Sequence, residues 1–153
     1  MPLTAIIGQK ILCMHGGISP RLNSLEILKG FRRPNYQPSH DQIEIDILWS
    51  DPTTSGKGWS PNQRGVSFTF GADVLRKALN AMNIDLVVRA HQVVQDGYEF
   101  FAQRRLVTIF SAPFYCGQFD NAAAVLAVSE DLVCSFQILR PKKYFPKRRI
   151  QIS

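Results

Sequence analysis

Ile11-Leu12-Cys13-Met14-His15-Gly16-Gly17 is a short apolar run that ends abruptly on a histidine and two glycines. Four apolar residues bounded by glycine read as a strand, and His15 then stands at its C-terminal mouth. Residues 86–90 repeat the arrangement, with Leu86-Val87-Val88-Arg89-Ala90 running into His91. A side chain at the carboxyl end of a strand in an α/β sheet is held rigidly and faces the crevice where such folds place ligands. Imidazole nitrogen is a good ligand for Mn, Fe or Zn, and adjacent glycines let backbone approach a metal or a phosphate closely. The same placement also suits a packed, hydrogen-bonded histidine with no ligand, and these features alone leave both readings open. The third histidine, His40, sits in a Pro/Ser-rich stretch and reads as an exposed loop residue.

Outward from these two strand ends, the chain alternates element types. Residues 4–8 and 10–14 form a predicted hairpin turned at Gly8-Gln9. Ser19-Pro20 offers an N-cap followed by a proline at the first helical position, and Leu22, Leu25 and Leu28 continue at helical spacing until Gly30. Residues 31–41 read as loop. A short amphipathic segment at 43–48 leads into Trp49-Ser50-Asp51-Pro52, and residues 53–65, with three glycines and a proline, read as a surface loop. Val74, Leu75, Ala78, Leu79 and Met82 mark a helix. The second half is strand-rich: residues 86–90, 98–102, 106–110, 122–127 and 132–139 are predicted strands, with turns at 103–105 and 129–131. In the last strand Leu132, Cys134, Phe136 and Ile138 share one face. Helices among strands, followed by a strand-rich half, predict an α/β fold of layered sheets. The chain opens directly into strand with no preceding helix to cover it, which reads as a start inside a domain.

Composition narrows the class. The 153 residues, 45% hydrophobic and 20% charged, fit one globular unit. No apolar run approaches the ~18 residues a membrane span needs, and residues 1–10 lack the basic and apolar regions of a signal peptide. Cys13, Cys116 and Cys134 are odd in number and match no zinc spacing, so they read as reduced thiols of a cytoplasmic or nuclear protein. The net charge of +6 lies wholly in residues 140–153, because the preceding 139 residues carry 12 basic and 12 acidic side chains. That division gives residues 1–139 as a folded unit and 140–153 as a basic, solvated, flexible tail. A nucleic-acid surface would need cations spread over a folded face, so nucleic acid is not the expected partner.

Two further features carry chemistry. Arg64, beside Gly65 in a loop, offers a fixed guanidinium fork of the kind that binds phosphate, although a surface arginine is the plainer reading. Residues 111–121 hold Phe114, Tyr115, Cys116 and Phe119 between two strands, suited either to contacting a substrate or inhibitor or to loop packing. No nucleophile elbow, P-loop or dinucleotide fingerprint occurs.

Several stretches together resemble the phosphoprotein phosphatase family of the metallophosphoesterase superfamily. They are residues 11–17, Leu48-Trp49-Ser50-Asp51-Pro52, Arg64-Gly65-Val66-Ser67-Phe68-Thr69-Phe70-Gly71, Arg89-Ala90-His91-Gln92 and Ser111-Ala112-Pro113, in that order. Residues 96–101 and 116–121 look like the type-1 subfamily, and the match runs from Pro2 to about Leu139, the C-terminal half of such a catalytic domain.

The resemblance implies a partial layered β-sandwich flanked by helices, with two divalent metal ions, Mn, Fe or Zn, at the mouth of the sheet in the intact enzyme. It implies that His15 and His91 bind one of those metals, that Arg64 grips the substrate phosphate, and that Tyr115 and Cys116 touch substrates and inhibitors. The reaction it implies is hydrolysis of phosphoserine and phosphothreonine in protein substrates. The family's remaining ligands, in Asp-x-His, bridging-aspartate and Gly-Asn-His motifs, and the general-acid histidine do not occur here, so the isolated chain is expected to bind metal weakly and hydrolyse little. Phe114, Gln118 and Gln63 depart from the family pattern, which usually has asparagine, glutamate and aspartate there. The resemblance also implies a pocket for regulatory subunits bearing an Arg-Val-x-Phe motif, formed by Ile11, Leu86, Phe100, Leu132, Cys134 and Phe136 with Asp85 at its rim. From the residues alone, these are equally well core positions. A non-catalytic binding protein that keeps this pocket is the alternative reading.

Overall fold

The computed structural model describes residues 1–31 and 41–141. His40 and most of the basic run at 140–153 lie outside the described residues, so the expectations for them are not addressed by it. No helix among the described residues is long and apolar enough to cross a membrane.

The central element is a five-stranded mixed sheet. Its strands are β1 (Thr4–Ile7), β2 (Ile11–Met14), β6 (Leu86–Arg89), β7 (Tyr98–Phe101) and β8 (Leu106–Ile109), in the order β1-β2-β6-β8-β7. The three inner strands β2, β6 and β8 run parallel, and the outer β1 and β7 are antiparallel to their neighbours. Parallel inner strands need both faces covered, and the near-continuous apolar runs of β2 and β6 meet that need. Leu12, Val87 and Leu106 point to one face, where they meet Leu75, Leu79 and Met82 of α3 (Ala72–Met82) and Ile47 of α2 (Gln42–Trp49). Ile11, Val88 and Val107 point to the other, where Leu126 and Val128 of β9 (Ala123–Val128) and Phe136 of β10 (Cys134–Leu139) cover them. The period-2 alternation of the strands therefore produces a three-layer arrangement: helices, sheet, two-stranded ribbon. This is the layered α/β sandwich the sequence predicts.

Local chemistry sets the helix ends. Asp41 caps α2 by accepting the Ile43 N–H at 2.8 Å, and Asn83 closes α3 in the left-handed conformation at φ 55°. The β7–β8 hairpin turns through three left-handed residues, Ala102, Gln103 and Arg104.

Three sequence expectations are corrected. The helix predicted from Ser19 to Gly30 is reduced to a single turn, α1 (Glu26–Lys29). The Ser19 hydroxyl still accepts the Arg21 N–H at 3.2 Å while it donates to Asp46 Oδ2 at 2.6 Å, and Leu22 is buried in the core, so tertiary contacts stop the turn that begins here from propagating as a helix. The 53–65 loop is not wholly loop: β4 (Trp59–Pro61) pairs with β5 (Phe68–Phe70), which also pairs with β3 (Asp51–Pro52), making a small third sheet. The last strand begins at Cys134, because Leu132 is left-handed at φ 63° and belongs to the turn.

Candidate functional site

Because β2 and β6 are parallel neighbours with Cys13 opposite Val88, the residues that follow them emerge side by side. Ala90 N–H donates to the His15 carbonyl at 3.0 Å, and His15 Nε2 lies 3.0 Å from His91 Nδ1. His91 takes φ 61°, an uncommon conformation for a non-glycine residue. It turns the ring back towards His15, and the edge of Trp49 closes its other side at 5.4 Å. The two glycines after His15 are required by close approach. A Cβ on Gly16 would stand 2.5 Å from the Leu48 carbonyl carbon, and one on Gly17 would stand 2.5 Å from the Phe70 ring. Gly16 N–H instead donates to the Ile47 carbonyl at 2.6 Å, docking the histidine turn onto the end of α2.

Beneath the imidazoles lies a buried ion-pair network that sequence reasoning missed. Arg89 is 1% exposed and donates to the Gly16 carbonyl, to Gln92 Oε1 at 2.8 Å, to the Ser50 carbonyl at 3.1 Å and to Asp51 Oδ1 at 2.7 Å. The other oxygen of Asp51 accepts from Arg64 Nε at 2.7 Å and Asn62 Nδ2 at 3.0 Å. Arg64 also reaches the His91 carbonyl at 3.4 Å while remaining partly exposed. One carboxylate thus joins two guanidinium groups, and one of these, Arg89, ends β6, the strand that runs into His91. The signal was within reach: Asp51 and Arg89 stand in the quoted motifs, but a charged residue in a strand is ordinarily read as solvent-facing.

The loop carrying Arg64 is pinned a second time. Asp46, fully buried, accepts from Ser19 Oγ at 2.6 Å, Gln42 Nε2 at 2.9 Å and Ser67 Oγ at 2.7 Å. It ties the segment after the histidine turn, helix α2 and the Arg64–Ser67 loop to one carboxylate.

These charges set the ionisation of the site. Burial first, and then the Arg64 and Arg89 cations, push His91 down to about 4 against the pull of Asp51. Burial followed by the same two arginines also lowers His15. Burial alone would raise Asp51, but hydrogen bonds from Arg64, Asn62 and Arg89 outweigh it and hold the carboxyl below its ordinary range. Both imidazoles are therefore neutral at physiological pH, with lone pairs to offer.

Above them opens a cleft of ≈ 510 Å³ lined by His15, His91, Phe110, Ser111 and Tyr115 among others. The 111–121 loop enters it through a 3-10 turn at Tyr115–Gly117. Tyr115 sets its edge against Phe110 at 4.9 Å and is 41% exposed. Cys116 is exposed, with a free thiol. Asn121, also missed in the sequence, is fully buried and holds the loop: it accepts from Tyr115 N–H and donates to the Ala112 and Ala122 carbonyls. His15, His91 and Tyr115 thus line one cleft, and Arg64 touches it through the His91 carbonyl. Cys116 sits on the loop beside them.

Of the predicted docking residues, Ile11, Leu86 and Phe136 gather on the face of the sheet that the ribbon covers. Ile11 and Leu86 face each other across β2 and β6 and pack with Phe136. Phe136 stacks on Tyr98 at 3.9 Å and meets Phe100 at 5.8 Å. Leu132 closes over Gly8, Asp85 pairs with Lys10 at 3.7 Å, and Cys134 is exposed at the ribbon's start.

The donor set partly fits a divalent cation. His91 Nε2 is buried with no hydrogen-bond partner among the described residues, and a 3.0 Å spacing between two neutral imidazole nitrogens satisfies either a shared proton or a shared metal. Among the described residues, no group of three or more His, Cys, Asp or Glu side chains could hold a metal by itself.

A family model described as calcineurin-like phosphoesterase matches residues 1–95. Among solved structures, the chain is similar to a protein serine/threonine phosphatase from Saccharomyces cerevisiae that is itself described as similar to human phosphatase PP5. The TM-score is 0.83 at 27% identity, over 95% of this chain and 49% of that one. This chain therefore spans about half the length of that phosphatase.

Proposed function

The chain belongs to the calcineurin-like phosphoesterase family, and from that premise we propose that its residues serve a type-1-like protein serine/threonine phosphatase. His15 and His91 ligate one of two divalent cations, of Mn, Fe or Zn type, and Arg64 holds the substrate phosphoryl group. The observation that carries this reading is the meeting of His15 Nε2 and His91 Nδ1 at 3.0 Å, with Arg64 bonded to the His91 carbonyl. When bound, such cations supply hydroxide at neutral pH and absorb charge on the phosphoryl oxygens.

The chain's own residues do the positioning. Arg64 commits its Nε to Asp51, which fixes the plane of the fork, and its partly exposed remaining donors are left for phosphate. Asp51 is already matched by Arg89, so it does not cancel the Arg64 charge. Tyr115 places a hydroxyl-bearing ring at the cleft's edge, where it would contact the phosphorylated residue. With two imidazoles and no carboxylate in the sphere, the chain alone turns over little substrate. The test is binding of a phosphoserine peptide: affinity over the unphosphorylated peptide should vanish in Arg64→Ala, and a persistent difference would refute the phosphate role.

A second reading draws on the ribbon-covered face of the sheet. Ile11, Leu86, Phe100 and Phe136 cluster beside an exposed two-stranded ribbon, which supports a pocket for an added peptide strand of Arg-Val-x-Phe type from a regulatory subunit. A peptide with that motif should bind the chain and lose affinity in Phe136→Asp; equal binding would remove this reading. Three free cysteines support a reducing cytoplasmic or nuclear setting.

A further inference from the structure

Beside the Asp51–Arg64 pair lies a second, polar trough of ≈ 430 Å³. It shares Asp51 and Asn62 with the anchor of Arg64, so it opens next to the group assigned to phosphate. Hydroxyls of Ser55 and Ser60 and amides of Gln63 and Gln92 line it, and Lys57 and Asp51 are the charged residues of its wall.

That pairing of charges is unequal. Asp51 spends both oxygens on Arg64, Arg89 and Asn62, whereas Lys57 lies exposed on the lip. Asp73 neighbours Lys57, but both of its oxygens accept from the Gly58 N–H. Counting Lys57, Arg64 and Arg89 against Asp51 and Asp73 leaves an excess of one positive charge around the trough. The lip is also open, since a Cβ on Gly56 or Gly58 would meet nothing within 4 Å. Glu99 lines a separate cavity of ≈ 190 Å³ that shares Pro52 and Gln92 with the trough.

We infer that this trough is a subsite for the residues flanking a phosphorylated side chain, and that it selects acidic flanks. The inference rests on the phosphate role proposed for Arg64. A peptide whose phosphate engages Arg64 must lead its chain out over neighbouring surface, and here that surface offers hydroxyl and amide partners under a positive field. Acidic flanking side chains meet Lys57; lysine and arginine flanks meet like charge.

Fluorescence anisotropy with phosphoserine peptides tests it, the flank on either side being three aspartates, three alanines or three lysines. At physiological salt the aspartate flank should bind about fivefold tighter than alanine on at least one side, with lysine weakest. Lys57→Glu should reverse the order. Lys147→Glu, which makes the same charge reversal in the basic run at 140–153, should leave the order intact. Equal affinities, an order that survives Lys57→Glu, or one that disappears in Lys147→Glu would overturn the subsite. Arg64→Ala separates the two claims. Phosphopeptide binding that persists in that variant refutes the phosphate role, whatever the flanks show.

Discussion

Asp51 Oδ1 lies 2.7 Å from Arg89 Nη2, and neither side chain is more than 6% exposed. Burying two charges is justified only when each is satisfied, and the network around them does this with carbonyls, Gln92, Asn62 and Arg64. Removing one partner leaves the other stranded. Asp51→Ala should therefore cost about 3–5 kcal/mol in urea unfolding. Arg64→Ala, which cuts a partly exposed arm of the same network, should cost about 1 kcal/mol or less. Equal costs would mean that the buried pair is not the structural centre of the site.

Asp46 makes a different demand. Its carboxylate holds Ser19, Gln42 and Ser67 at once, so Asp46→Ala orphans several donors inside the fold. The expected loss is about 1–3 kcal/mol for the buried donors left unmatched. Ser67→Ala frees only the Arg64 loop, and it should lower phosphopeptide affinity with little change in thermal midpoint. A midpoint that falls as far as in Asp46→Ala would show Ser67 to be a core residue rather than a tether of that loop.

Acid should weaken the fold in a defined window. His91 folds with its pKa lowered to about 4, whereas the unfolded imidazole titrates near 6.5. Below 6.5 the unfolded chain binds the proton more readily, so stability falls as pH drops from 6.5 towards 4. Asp51, held low by its arginines, adds a further loss as pH falls through its own depressed value. Thermal midpoints across this range should decline, and His91→Gln should flatten the upper part of the decline. A wild-type midpoint that is level between pH 6.5 and 4 would contradict the neutral, half-buried imidazole.

Much of this was legible in the sequence, and the remainder was hidden for physical reasons. Apolar runs ending at His15 and His91 located both strand mouths, because strand-end position and residue chemistry are local properties. Leu75, Leu79 and Met82 marked α3 by their helical period. The helix after Ser19 failed because Ser19 and Leu22 are pulled into the interior, Ser19 by Asp46, 27 residues away in sequence, so the capped turn does not propagate. Strand β4 was overlooked because Trp59–Pro61 is short and set among glycines, and only pairing with β5 gives it a ladder. Arg89 and Asp51 were quoted but given no role, since a buried arginine can be recognised only once its carboxylate is seen to face it.

The account depends on His15 and His91 acting as one cation site. Titration of Mn²⁺ into the 153-residue chain, followed through the imidazole NMR signals, measures this directly. Both rings should broaden together with a single weak affinity, and His15→Ala and His91→Ala should each weaken binding as much as the double variant does. Two rings that respond independently, or binding undiminished in either single variant, would contradict the shared site.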